Sequence, residues 1–226
     1  MSTLVSQAPT GFPTATLHLT QILVSYEDAV RLLRIRDTYD WHQRVWQAFG
    51  AREGEARDFL IRVDRKEDAY RVIILSRTVP RKPDWCPTAC FETKTIPDDY
   101  FQYARYRFSL LANPTRKLRV DNPDGTRKKN GRRKPIVKRE ELITWLRRKA
   151  EVGGFSVDPD SLLTIPRGRE FFHKPGAHGT LTAIEFQGEL VVRDAAQFRL
   201  AVAAGIGSAK AFGFGLLILA PIPSAA

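Results

Sequence analysis

Four histidines are present, His18, His42, His173 and His178, and one of them sits where it could do chemistry. His42 follows Tyr39 at a spacing of three within DTYDWHQRVWQAF, a helical pattern over Asp37 to Phe49 that ends at Gly50. That spacing puts both side chains on one helical face. Imidazole titrates near neutrality and serves as proton acceptor or donor, and a phenol one turn away can orient or share the transfer. A ribose phosphate chain suits such a pair. Its 2′-hydroxyl is a built-in nucleophile, so an enzyme needs only to remove one proton, return another to the leaving 5′-oxygen and stabilise the charge between them. Arg36 is a nearby cation for that last task. The plainer reading of the same residues is a helix that packs Trp41 and Val45 inward and leaves Tyr39 and His42 half-exposed. His18 lies within an alternating strand pattern and reads as structural. His173 and His178 flank Lys174, Pro175 and Gly176 and read as loop residues.

The second cluster with chemical meaning is charge. The chain carries a formal +11 over 226 residues, and +9 of it falls between Thr115 and Arg139, where eleven Lys or Arg face only Asp121 and Asp124. The remainder is close to neutral, so the charge belongs to one cationic arm. Such an arm is relieved by a polyanion whose condensed counterions it displaces. Asn122, Pro123, Asp124, Gly125, Asn130 and Gly131 interrupt the basic run with turn formers, which predicts a loop or hairpin between flanking strands. The stem-binding candidates are Arg116, Lys117, Arg119, Arg127, Lys128, Lys129, Arg132, Arg133 and Lys134, with Arg167 and Arg169 of a PRGR segment as further ones.

A third segment is rich in glycine. Gly205 to Gly215 reads GIGSAKAFGFG, and Gly205, Gly207 and Gly213 with Lys210 could bring backbone amides and one point charge to a phosphate. It follows a helix and leads into a strand, the reverse of a dinucleotide-binding turn, and it lacks the Gly-Lys-Ser/Thr of a Walker loop. A tight helix-to-strand turn would satisfy the same spacing.

These groups need elements to hold them. Ala15 to Ile22 alternates as a half-buried strand, and Tyr26 to Ile35 behind Ser25 reads as a helix. Phe59 to Val63 and Tyr70 to Leu75 form a hairpin pattern. Thr78 to Pro97 reads as irregular, and Tyr106 to Leu111 as a strand. Beyond the arm, Arg139 to Val152 is an amphipathic helix closed by Gly153 and Gly154. Short strands follow at Phe155 to Val157 and Leu163 to Ile165, then a long one over Thr180 to Arg193, bent at Gly188. A helix over Ala195 to Ala204 and a buried strand over Phe214 to Leu219 complete the series. This order predicts an α+β protein with antiparallel sheets, as two ferredoxin-like domains in tandem. The expected division is a tail over 1–13, a first domain over 14–113 and a second over 114–226.

Composition narrows the classes further. Two cysteines make no disulfide scaffold, and Cys86 and Cys90 have no second pair or nearby histidine to complete a zinc site. No apolar run reaches the roughly 20 residues of a membrane helix, and the N-terminus lacks a secretion pattern. A reducing cytoplasm is the expected compartment.

The segment GIGSAKAFGFGLLIL resembles the C-terminal glycine-rich signature of CRISPR-associated repeat-processing endoribonucleases, and YRFSLLANPTRK with GFSVDPDSLL is similar to the CasE subfamily of type I-E systems. The likeness runs from about Ala15 to Leu219, leaving the opening dozen residues as an added tail. It implies metal-independent cutting at the base of a CRISPR repeat RNA hairpin, with no cofactor, by a Tyr-x-x-His pair matching Tyr39 and His42. The products would be a 5′-hydroxyl and a 2′,3′-cyclic phosphate or its opened form. The resemblance also implies a basic hairpin that binds the stem, and retention of the product within the Cascade surveillance complex. Gln43 stands where a basic residue is expected after the histidine, with Arg44 one place on. The rival readings are an RNA-binding structural subunit without chemistry, and a DNA-binding module, for which no helix-turn-helix or zinc pattern is present. Neutralising Arg127 to Lys134 should weaken hairpin RNA binding and flatten its salt dependence. With six or more phosphate contacts, wild-type affinity should fall by roughly a thousandfold or more between 50 and 200 mM salt. Filter binding across that range checks this, and an unchanged slope would make the arm a solvated loop.

Overall fold

The computed structural model describes residues 16–50, 57–118 and 133–223. Strand β1 (Leu17–Ser25) runs into helix α1 (Tyr26–Arg31), whose first turn is capped by the Ser25 hydroxyl accepting from the Asp28 amide at 3.0 Å. The helix is shorter than its sequence pattern, and Arg34 sits at a φ of 53° in the turn that follows. Helix α2 (Thr38–Trp46) starts at Asp37, whose Oδ1 accepts from the amides of Tyr39 at 2.8 Å and Asp40 at 3.2 Å. An aspartate here satisfies otherwise unpaired amides and favours the positive end of the helix dipole.

Strands β2 (Phe59–Arg65), β3 (Ala69–Ser76) and β4 (Phe91–Ile96) complete an antiparallel sheet in the order β2-β3-β1-β4. Strand β4 lies in the stretch expected to be irregular. Its sequence FETKTI is polar and sits at an edge beside β1, so it lacks the apolar alternation that marks an inner strand. The second sheet takes β5 (Arg105–Ala112), which then leads into the short pair β6 (Thr115–Lys117) and β7 (Arg133–Pro135). Helix α3 (Arg139–Val152) and strands β8 (Phe155–Val157), β9 (Leu163–Lys174) and β10 (Ala177–Val192) follow. Helix α4 (Ala195–Ala204) and β11 (Leu217–Ile222) end the fold. The second sheet's order is β11-β5-β10-β8, with β9 also paired to β10.

Numbered within each half, both sheets run fourth, first, third, second, the ferredoxin-like arrangement. The expected α+β fold with two such domains is therefore the observed one. Strand β5, which lies inside the expected first domain 14–113, is hydrogen-bonded into the second sheet. The tail 1–13 lies outside the described residues. The long strand β10 changes register between Ala183 and Ile184 rather than only bending at Gly188, and β9 extends far beyond Ile165. His173 and His178, expected in a loop, are cross-strand partners in that hairpin, because Pro175 and Gly176 supply the turn alone.

Helices α1 and α2 cover one face of the first sheet around Ile22, Val45, Ile61, Val72 and Ile74. Side chains alternate along a strand, so Leu60 and Leu75 point the other way and join Phe101, Leu216 and Leu217 in the core that α3 and α4 cover. The halves are joined a second time by charge. Arg62, with 8% of its side chain exposed, bonds Asp64 at 2.7 Å, Glu185 at 2.9 Å and the Ser109 hydroxyl at 2.7 Å. Glu185 also meets Arg167 at 2.6 Å. Burial alone would raise the Glu185 carboxyl. Hydrogen bonds from Ser109, Gln187, Arg62 and Arg167 overcome it and hold the carboxyl down to about 2, below its ordinary 4.5.

A folded-state value below the unfolded one means stability that is full above about pH 4.5 and is lost as pH falls towards 2. Removing one partner of a buried ion pair costs about 3–5 kcal/mol. Glu185→Ala should lose an amount of that order in urea unfolding at pH 7, and the acid-dependent loss between pH 4.5 and 2 should shrink in the variant. Equal acid sensitivity in both proteins would contradict the assignment.

Candidate active site

Helix α2 carries Tyr39 and His42, both partly exposed, beside Trp41 and Val45, which are buried as the sequence pattern requires. One further turn along, Trp46 donates its indole N–H to His42 Nε2 at 3.0 Å. The imidazole also lies against the Phe59 ring, with centroids 5.8 Å apart, and Phe59 stacks on Phe49 at 4.5 Å. An indole N–H cannot accept, so Nε2 is the unprotonated nitrogen and the ring proton resides on Nδ1. Nδ1 is buried and without a hydrogen-bond partner among the described residues. Burial, with the positive charge of Arg57, holds the imidazole down to about 4 from its ordinary 6.5. The ring is therefore neutral across the physiological range, the form that accepts a proton.

Helix α2 and strand β2 pack against the turn Lys210–Phe212 in the glycine segment. Gly205 ends α4 at a φ of 75°, and a Cβ there would stand 2.8 Å from a Leu60 methyl and 3.1 Å from the Gly215 carbonyl. This glycine is required by close approach of the two halves. A Cβ on Gly207 would meet the Trp145 ring at 3.1 Å, whereas Gly213, at a φ of 87°, has open space around it. Lys210 donates to the Ala204 carbonyl at 2.7 Å. Burial lowers its ammonium from the ordinary range, and Arg57 and Lys149 add repulsion in the same direction. The segment thus brings a lysine and a left-handed, uncrowded glycine to the helix that bears His42.

The other sequence-derived candidates sit elsewhere. Arg36 pairs with Asp40 at 3.2 Å, at the opposite end of α2 from Trp46. Arg167 is held by Glu185, and it and Arg169 line a cleft of about 770 Å³ between the sheets. Arg116, Lys117, Arg133 and Lys134 form the paired base of the arm, where Arg116 meets Glu141 at 3.1 Å. Arg119, Arg127, Lys128, Lys129 and Arg132 lie outside the described residues. His18 is buried, with Nδ1 3.3 Å from the Thr95 hydroxyl, which fits its structural reading. Among the described residues no group of three His, Cys, Asp or Glu could hold a metal ion.

Sequence reasoning missed Trp46 and Arg57. Trp46 was legible, since it stands four residues after His42 on the same helical face. Arg57 had no such signal, because it precedes β2 outside any periodic pattern.

Residues 17–221 match the family model described as CRISPR associated protein. The Cascade subunit CasE of Escherichia coli K12 is 30% identical over 190 residues, covering 83% of this chain and 94% of that protein. The chain is a CRISPR-associated protein of the CasE family. The CRISPR-associated endoribonuclease Cse3 of Thermus thermophilus is 25% identical, covering 90% of this chain and 99% of the relative. A structure of Thermus thermophilus Cse3 bound to an RNA representing a pre-cleavage complex superposes with a TM-score of 0.69 at 26% identity, over 91% of this chain and all of that one.

In this CasE-family protein a neutral, packed imidazole has a spectroscopic consequence. Proton NMR of the free protein should show His42 staying unprotonated down to about pH 4. A His42 midpoint near 6.5 would contradict the enclosure described.

Proposed function

We propose that this protein is a metal-independent endoribonuclease that binds the hairpin of CRISPR repeat RNA, cuts at the base of its stem and keeps the product as a subunit of Cascade in the cytoplasm. The cationic arm, whose paired base carries Arg116, Lys117, Arg133 and Lys134, holds the stem phosphates. The Tyr39 and His42 face meets the ribose and phosphate at the cut. His42 Nε2 leaves the Trp46 indole and accepts the proton of the 2′-hydroxyl. The 2′-oxygen bonds to phosphorus, the bond from phosphorus to the 5′-oxygen breaks, and Tyr39 returns a proton to that oxygen. The products are a 2′,3′-cyclic phosphate and a 5′-hydroxyl. Because the nucleophile belongs to the substrate, no metal-bound water is needed.

The observation that carries this reading is the neutral imidazole of His42 set beside Arg57 and the glycine segment, on a fold similar to that of Cse3 in its pre-cleavage RNA complex. His42→Ala should abolish cleavage of a repeat hairpin in EDTA while binding stays within a few-fold. Undiminished cutting would remove His42 from the mechanism, and absence of cutting by the wild-type protein on its own repeat would favour the binding-only alternative.

A further inference from the structure

Arg57 is the one cation beside His42 whose charge the described residues leave unanswered. Its Nη1 is buried without a hydrogen-bond partner, and its guanidinium lies 5.9 Å from the centre of the Phe59 ring, the same ring that supports His42. Burial lowers it from the ordinary arginine range, and no carboxylate opposes that shift. It stands close enough to His42 and to Lys210 to depress both, and Lys149 adds a further like charge to Lys210. Elsewhere the fold treats buried arginines differently. Arg62 is met by Asp64 and Glu185, and Arg199 by Asp98 at 2.7 Å. A half-buried guanidinium among like charges is costly to hold unless an anion completes it.

We infer that Arg57, assisted by Lys210, is the catalytic cation of this site and binds the non-bridging oxygens of the phosphate at the cut. The inference rests on the ribonuclease reading and deepens it. When the 2′-oxygen attacks, negative charge grows on those two oxygens, and a donor already in place and shielded from water stabilises that charge without reorganising. Arg57 neither gains nor loses a proton in the step. Placing the phosphate beside Phe59 also puts the adjoining ribose against the His42 ring that the same phenyl supports. The role differs from that of the arm, whose charges hold the stem and not the reacting group.

The test is single-turnover cleavage of a repeat hairpin in EDTA at saturating protein. Removing one such donor typically costs about a hundredfold or more in rate. Arg57→Ala should fall by that factor with hairpin affinity within a few-fold of wild type, and Arg57→Lys should recover part of the loss. A sulfur replacing one non-bridging oxygen of the cut phosphate should slow the wild-type protein for one diastereomer, and that slowing should shrink in Arg57→Ala. A misplaced helix would not alter the sulfur effect. Arg57→Ala cutting within threefold of wild type, or cutting slowly with the full sulfur effect, would overturn the inference. If the variant does not fold, the wild-type protein decides alone, since an equal rate with both diastereomers and with oxygen also overturns it. His42→Ala is run in parallel. Loss of cutting there with Arg57→Ala intact removes only the role of Arg57, whereas cutting by His42→Ala removes the reading of the whole site.

Discussion

The constraint on which the site depends is the joint between the two ferredoxin-like halves. His42 is carried by a helix of the first half, and Lys210 and Gly213 by a turn of the second, so neither half alone contains the site. The joint includes both apolar and ionic contacts. Leu60 and Leu75 of the first sheet enter the second half's core, and Arg62 reaches across to Glu185 and Ser109. The apolar contact supplies attraction without direction, while the ion cluster accepts only one geometry. Gly205 marks how closely the halves approach, since even a methyl group there would collide with Leu60.

The charges of the protein divide by whether the fold completes them. Those of the joint are paired, Arg62 with Asp64 and Glu185 and Arg167 with Glu185, and hold Glu185 ionised far below its ordinary range. Near His42, Arg57 Nη1 is left without a hydrogen-bond partner among the described residues, Arg57 and Lys149 repel Lys210, and burial, with the charge of Arg57, keeps the imidazole neutral. On the proposed function, Arg57 would serve two ends, drawing the phosphate at the cut and helping burial keep His42 in its accepting form. Trp46 adds direction, because its indole hydrogen bond fixes which ring nitrogen carries the proton.

Much of this was legible in the sequence, for physical reasons that differ by element. Helix α3 was readable to its end residues, because Leu142, Trp145, Leu146 and Ala150 form one buried stripe and Gly153 follows. The two-domain antiparallel fold followed from element order. Strand β4 was hidden because its middle, Glu92 to Thr95, is polar and only Phe91 and Ile96 at its ends pack on the cores, and the β9–β10 hairpin because its exposed positions, such as Phe171, Lys174 and His178, obey no burial pattern. Tyr39 and His42 were visible through helical spacing. Arg57 was not, since its importance comes from contacts between segments distant in sequence. Arg167, a stem-contact candidate from its PRGR setting, is half-exposed and also bound by the buried Glu185, a partner distant in sequence.

The central claim is that the substrate supplies its own nucleophile to a neutral His42. The most direct measurement is the fate of a repeat hairpin whose 2′-hydroxyl beside the cut has been replaced by hydrogen, compared with the natural RNA and with the end groups analysed in both. The account predicts that the deoxy RNA binds normally and stays whole, while the natural RNA gives a 5′-hydroxyl and a 2′,3′-cyclic phosphate. Cleavage of the deoxy RNA, or a 5′-phosphate on the natural product, would show that water is the nucleophile and would contradict it.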